Sequence, residues 1–215
     1  MTDTTRISLR EQIAAFQQQR AGNTPAEQLQ KQRAERANML RSASSGTSLQ
    51  VGDPAPDFTL PDAYGKPVTL STLLKSGPMV LTFYRGDWCP YCNLALRAYQ
   101  AILPEITALH GSLVAISPQN PDHTLLTVEH KELSYPVLSD VGNRVARQYT
   151  QIFTIPEAER RPNLQPYFED NAWQLPAPGT FVIAQEGMTK LAFVDADYTQ
   201  RLEPEAILDA LRQLV

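Results

Sequence analysis

The segment FYRGDWCPYCNL, Phe83 to Leu94, holds both cysteines of the chain, Cys89 and Cys92, two residues apart. Such a pair serves as half of a metal site, as a structural staple, or as a dithiol that cycles with its disulfide. Pro90 directly follows Cys89, and proline favours the first position of a helix, which places Cys89 at the N-cap and Cys92 in the first turn. A helix N-terminus presents unpaired N–H groups and roughly +0.5 of a charge, both of which stabilise a thiolate. A cysteine so placed has its pKa lowered by about one to several units from the ordinary ~8.5, and the thiolate is the attacking species. A second cysteine three positions along can then close a disulfide within the same turn.

The other two chemistries fit less well. A structural tetrahedral zinc site takes four protein ligands, and there is no third cysteine. His110, His123 and His130 lack the spacing that would complete one, so neither metal nor cofactor is expected. A structural disulfide would enclose too short a loop to add much stability. Around the pair, Arg85 could stabilise a thiolate or an anionic leaving group, and Trp88 could wall the site. Their plainer roles are a solvated loop charge, which is also the plain role of Asp87, and an edge-packing aromatic. Trp173 reads as a core residue, and the histidines stay outside the site.

These residues need a scaffold, and the sequence shows its parts. Met79-Val80-Leu81-Thr82-Phe83-Tyr84 is a nearly continuous apolar run suited to a central strand covered on both faces. The cysteine pair follows it, opening a helix through Leu94, Tyr99, Ile102 and Ile106 that Pro104 should kink. Leu113-Val114-Ala115-Ile116 is a second buried strand, completing a parallel βαβ unit. Upstream, Phe58–Leu60 and Val68–Leu70 flank the turn Asp62-Ala63-Tyr64-Gly65 as a hairpin. Downstream come a helix at 125–133, a short strand at 136–138, a helix at 143–149 and a long irregular stretch at 156–178. A second hairpin, Thr180–Ile183 with Leu191–Val194, leads to a helix from Pro204 whose Ile207, Leu208, Leu211 and Val215 share one face. The fold class is therefore α/β.

Residues 1–46 differ. They are rich in Gln, Arg, Glu and Ala, and Ser8-Leu9-Arg10-Glu11 is a capping-box sequence that should start a helix carrying Ile13 and Phe16, with Gly22 as a stop. Thr24-Pro25-Ala26-Glu27 starts a second helix, with Leu29, Met39 and Leu40 as its large apolar residues. This polar segment reads as a solvated helical arm packed on the main domain, or as a dimerisation arm. The expected organisation is thus a helical arm, 1–46, and one α/β domain, 51–215, with a homodimer compatible with the arm and an edge strand.

Composition narrows the function further. The net charge is −4, with 42% hydrophobic and 20% charged residues and no long basic run, so neither nucleic acid nor an anionic membrane surface is an expected partner. No apolar run approaches the ~20 residues that span a bilayer. The start, MTDTTRISLREQ, lacks the apolar core of a secretory signal. The expected location is cytoplasmic, where thiols are kept reduced and a close cysteine pair more often does chemistry than bracing.

From about Val51 to Val215 the chain resembles the peroxiredoxin-like (alkyl hydroperoxide reductase/thiol-specific antioxidant) family of the thioredoxin-fold superfamily. VGDPAPDFTLPDAYGKPVTL is similar to that family's opening, and YPVLSDVGNRVARQY to its Pro-Leu-Leu-Ser-Asp stretch with a following helix. The resemblance implies a thioredoxin-like fold of the peroxiredoxin type, with its N-terminal β-hairpin, preceded here by the helical arm. It implies an antioxidant thiol oxidoreductase that reduces hydroperoxides or disulfides, with thioredoxin or glutathione returning the electrons.

The site departs from that family. Its Pro position holds Arg85, its Thr position Cys89 and its peroxidatic position Cys92, while a late-strand Arg falls on Pro178. Trp88-Cys89-Pro90-Tyr91-Cys92 instead resembles the active site of thioredoxins and glutaredoxins. Pro178 before Gly179-Thr180-Phe181 is similar to the cis-proline that faces the cysteine pair in that branch, so Ala177–Pro178 is expected to be cis. The first alignment makes Cys92 the nucleophile and the second Cys89. The alternatives are a thioredoxin/glutaredoxin-type disulfide reductase with little peroxidase activity, and a non-catalytic redox sensor or interaction protein.

Overall fold

The computed structural model describes residues 7–42, 48–168 and 172–214. The elements run α1 Leu9–Asn23, α2 Ala26–Ser42, β1 Thr59–Pro61, β2 Pro67–Thr69, α3 Leu70–Leu73, β3 Met79–Phe83, α4 Pro90–Ala101, α5 Leu103–Ala108 and β4 Ser112–Ser117. They continue with α6 Pro121–Lys131, β5 Val137–Ser139, α7 Ala146–Tyr149, β6 Ile152–Thr154, β7 Gln174–Pro176, β8 Gly179–Ile183, β9 Thr189–Val194 and α8 Pro204–Arg212. A five-stranded sheet of order β5-β4-β3-β8-β9 forms the centre. β3 pairs parallel with β4 and antiparallel with β8, so the strand leading to the cysteines is covered at both edges.

Alternation along β3 divides the core into two halves, because successive side chains point to opposite faces. Val80 and Tyr84 join α1, α4, α5 and α8 on one face. Met79, Leu81 and Phe83 join the β1–β2 hairpin, α3 and α7 on the other. There Phe181, fully buried, meets Phe83 and Tyr149 edge-on at centroid separations of 6.0 and 5.6 Å. Phe181→Ala should therefore cost about 3–5 kcal/mol, read as a drop in the urea midpoint, because that packed ring cluster cannot collapse around the cavity.

The capping box at Ser8 and Glu11 is present as the sequence predicts, although α1 runs one residue past Gly22 to Asn23. Pro104 sits within α5, and the break falls at Ile102, where φ −102° and ψ 5° leave the helical region. The helix expected at 125–133 begins earlier, because Asn120 caps it by accepting from His123 N–H and Pro121 starts it. The helix expected at 143–149 is a single turn, preceded by a 3-10 turn. Val215 and residues 43–47 lie outside the described residues.

The stretch at 156–178 has more order than its composition suggests. β7 pairs antiparallel with β6, and Phe168 stacks on Trp173 with centroids 4.7 Å apart. Nonlocal pairing of this kind leaves no periodic signature in so short a strand. Ala177–Pro178 is trans, which corrects the cis expectation. Ala177 N–H donates to Gln151 O at 2.7 Å and Asp195 N–H to Pro178 O at 3.2 Å, so the chain stays extended from β7 into β8.

Candidate active site

Cys89 is the N-cap of α4 and Pro90 its first residue. The loop before it is tightly turned. Gly86 has φ +144°, and a Cβ there would lie 2.4 Å from Trp88 Nε1, so only glycine lets the indole fold back over the turn. Asp87 N–H donates to Gln119 Oε1 at 3.0 Å and Asn93 Nδ2 to Asp87 O at 2.7 Å, which ties the loop to the segment after β4 and to α4.

Both thiols are free and buried, Cys89 at 1% and Cys92 at 0% exposure. Arg85 Nη1 lies 3.9 Å from Cys89 Sγ. Its guanidinium is held between the rings of Trp88 and Tyr198, 4.9 and 4.3 Å from their centroids. On the other side Arg201 Nη2 donates to Cys92 Sγ at 3.0 Å, while its Nη1 donates to the carbonyls of Tyr198 at 2.7 Å and Gln200 at 2.6 Å. Tyr99 Oη donates to Leu202 O at 3.0 Å and so anchors the loop that carries Arg201.

Proximity of Arg201 by itself would put the negative charge on Cys92. Burial pushes the Cys89 thiol up, but the hydrogen bond from Cys92 and the charges of Arg85 and Arg201 outweigh it and hold Cys89 well below the ordinary thiol range. Burial and the neighbouring Cys89 thiolate push Cys92 well above it. Cys89 takes the charge because it has Arg85 and the helix N-terminus in addition to the shared Arg201.

Cys89 forms part of the wall of a cavity of about 250 Å³, together with Arg85, Trp88, Pro90 and Tyr91. Helices α1 and α2 cover one side of it, and β6 with the segment after it covers another. The arm is firmly docked: Phe16 meets Tyr91 edge-on at 5.4 Å, Arg36 pairs with Asp197, and Arg161 pairs with Glu35 at 3.0 Å. Leu9 and Ile13 are buried in the main core. Glu203 accepts from Leu9 N–H at 3.1 Å and Arg10 N–H at 2.7 Å, satisfying two of the open N–H groups of α1. Glu203→Ala should loosen this end of the arm by about 1 kcal/mol, seen as faster proteolysis within 9–23 than in the wild type.

Of the residues expected at the site, Cys89, Cys92, Arg85, Trp88 and Pro90 come together. Pro178 is buried one residue before the Gly179–Phe83 pairing and does not line the cavity. Sequence reasoning missed Arg201, Tyr198 and the arm's Phe16. The stretch DADYTQRLEP carries no motif, and Arg201 reaches Cys92 only because β9 and α8 bring that loop over α4. His123 has a partner after all: its ring lies against that of Tyr167, tilted by 32°, with centroids 4.2 Å apart. Among the described residues no helix is long and apolar enough to cross a membrane.

A five-stranded sheet flanked by helices, with a cysteine pair opening the helix after its central strand, is a thioredoxin-like fold of the peroxiredoxin type. Residues 51–191 match the AhpC/TSA family model, and the chain belongs to that family. A putative peroxiredoxin of Mycobacterium tuberculosis is 35% identical over 101 residues, 47% of this chain and 66% of that protein's length. The chloroplastic peroxiredoxin Q of Sedum lineare is 26% identical over 176 residues, covering 82% of this chain and 83% of its own. The crystal structure of peroxidoxin BcpB from Mycobacterium tuberculosis superposes with a TM-score of 0.63 at 26% identity, over 78% of this chain and 99% of that one. Helices α1 and α2 lie outside the family match.

Proposed function

We propose that the chain is a thiol-dependent oxidoreductase that reduces hydroperoxides by cycling Cys89 and Cys92 between dithiol and disulfide. The observation that carries this reading is the reduced pair at the N-terminus of α4, with Cys89 facing a cavity and two arginines against the sulfurs. The Cys89 thiolate attacks the outer peroxide oxygen. An S–O bond forms as the O–O bond breaks, and the departing alkoxide or hydroxide takes up a proton. The Cys92 thiol then attacks the sulfenic sulfur, forming the disulfide and releasing water. Arg85 and Arg201 hold the thiolate before attack and offer N–H groups to the charge that develops on oxygen. A second thiol, of the thioredoxin or glutathione class, returns two electrons by exchange through a mixed disulfide. We read residues 1–46 as an arm serving the site and 51–215 as the catalytic unit, working in the cytoplasm where such reductants are kept poised.

The order of the pair also suits a disulfide substrate. Cys89, the first cysteine, faces the cavity, which favours attack by Cys89 on a small disulfide as in the thioredoxin-like alternative. The trans bond at Pro178 removes one support for that alternative.

One equivalent of hydrogen peroxide added to the reduced protein should remove both titratable thiols and lower the intact mass by two hydrogens. A dithiol should restore both. A mass that is unchanged after peroxide, while a small disulfide oxidises the pair, would replace the peroxidase reading by the disulfide reductase.

A further inference from the structure

Residues 195–203, between β9 and α8, touch both the cysteine site and the arm. They supply two groups to the site. Arg201 Nη2 donates to Cys92 Sγ at 3.0 Å, and the Tyr198 ring lies 4.3 Å from the Arg85 guanidinium carbon. The arm holds the same loop at two points. Arg36 of α2 pairs with Asp197, and Glu203 accepts from Leu9 N–H and Arg10 N–H at the start of α1. A third contact runs through rings: Phe16 of α1 meets Tyr91, which meets Tyr198 edge-on at 5.8 Å. Asp197 also sets the backbone of the loop. Its Oδ1 accepts from Thr199 N–H at 3.0 Å and from Thr199 Oγ1 at 2.8 Å, and its own N–H donates to Asp195 Oδ1 at 2.8 Å. The carbonyls of Tyr198 and Gln200, within this turn, take the Nη1 of Arg201. The guanidinium at Cys92 is thus supported by a turn whose carboxylate is gripped from α2. Neither the arm's helices nor this loop falls within the family match at 51–191.

We propose that Asp197 and Glu203 are positioning residues through which the docked arm holds Arg201 and Tyr198 at the site, so that docking of the arm tunes the reactivity of Cys89. A charged group is only as well placed as the contacts that support it, and its pull on a thiolate falls with distance. The groups against Cys89 are Cys92 and Tyr91 on α4, Arg85 after β3, and Arg201 and Tyr198 on the loop. Across the cavity stand Arg20, Glu35 and Arg36 of the arm and, after β6, Glu159 and Arg161. Arg161 pairs with Glu35 there, so part of that charge is already balanced. The sign of the effect separates positioning from direct electrostatics. Asp197 and Glu203 are carboxylates, and by charge alone the removal of either favours a nearby thiolate and lowers the pH midpoint of Cys89 alkylation. Positioning demands the reverse, because a loosened loop withdraws Arg201 and frees Arg85.

The test follows iodoacetamide alkylation of Cys89 against pH, located by mass spectrometry, in reduced wild type, Asp197→Asn, Glu203→Ala and Arg36→Gln. The pH midpoint should rise by about half a unit to one unit in each variant, with the alkaline plateaus coinciding. Below the midpoint that is an about three- to ten-fold slower reaction. Arg36→Gln changes the arm alone, so it decides the matter even where a change within the loop lowers the thermal midpoint. A pH midpoint that falls in Asp197→Asn and Glu203→Ala would show the carboxylates acting by charge alone and overturn the inference. An unmoved midpoint in Arg36→Gln would also overturn it, since the loop would then be set without the arm. The inference rests on Cys89 carrying the thiolate, not on what the pair reduces. Alkylation of Cys92 in place of Cys89 would overturn it, whereas a protein that shows the expected shifts but ignores hydroperoxide loses the peroxidase reading alone.

Discussion

Cys89→Ser should reduce hydroperoxide-dependent turnover by at least about a thousand-fold, as loss of an enzyme's nucleophile generally does. The serine hydroxyl cannot be ionised by the two arginines to any useful extent, and no other thiol faces the cavity. Cys92→Ser should behave differently. One equivalent of peroxide should still oxidise Cys89 to a sulfenic acid, captured by a carbon nucleophile such as dimedone and located by mass spectrometry. The cycle then stalls until an external thiol is supplied. The opposite result, sulfenic acid on Cys92 in the Cys89→Ser protein, would assign the attack to the position that aligns with the peroxidatic cysteine. It would also make the 3.0 Å contact of Arg201 with Cys92 Sγ the activating one.

Arg201→Met should move the pH midpoint of Cys89 alkylation upward by about one to two units and slow the reaction near neutrality by about ten-fold. The sign follows from the charge. In the wild type, Arg201 and Arg85 keep the thiolate populated down to a depressed pKa, so the rate is flat above that value and falls as pH drops through it. Without Arg201 the fall begins at higher pH, and the two proteins converge in alkaline solution. A gain in intrinsic nucleophilicity with rising pKa offsets part of the loss. Methionine keeps most of the side-chain volume, so a preserved thermal midpoint separates a lost charge from lost packing. An unshifted midpoint in the pH profile would assign thiolate stabilisation to Arg85 and the helix N-terminus.

The arm shows where local and nonlocal information part. Its two helices are legible from Ser8, Glu11 and Pro25, because capping is satisfied within a few residues of chain. Its destination is not. Phe16 against Tyr91 and Glu203 across the start of α1 join residues far apart in sequence, and neither partner's type announces the other. The polar composition that suggests a solvated arm conceals that Leu9 and Ile13 complete the main core.

The cysteine pair stands at the other extreme. Strand, tight turn, Cys-Pro-x-Cys and helix are adjacent along the chain, so the N-cap position of Cys89 and the reach of Cys92 follow from backbone geometry within one turn. The βαβ unit is legible for the same reason, since its buried strands are short unbroken apolar runs. Tertiary structure alone decided which charges meet the sulfurs. Arg201 arrives from a loop after the last strand, Tyr198 from the same loop clamps Arg85, and the cavity exists only once α1, α2 and β6 close around Cys89. Sequence thus determined a helix-capping cysteine pair on an α/β scaffold, because those interactions are local. The protonation of that pair and access to it depend on groups that only long-range packing brings within a few ångströms.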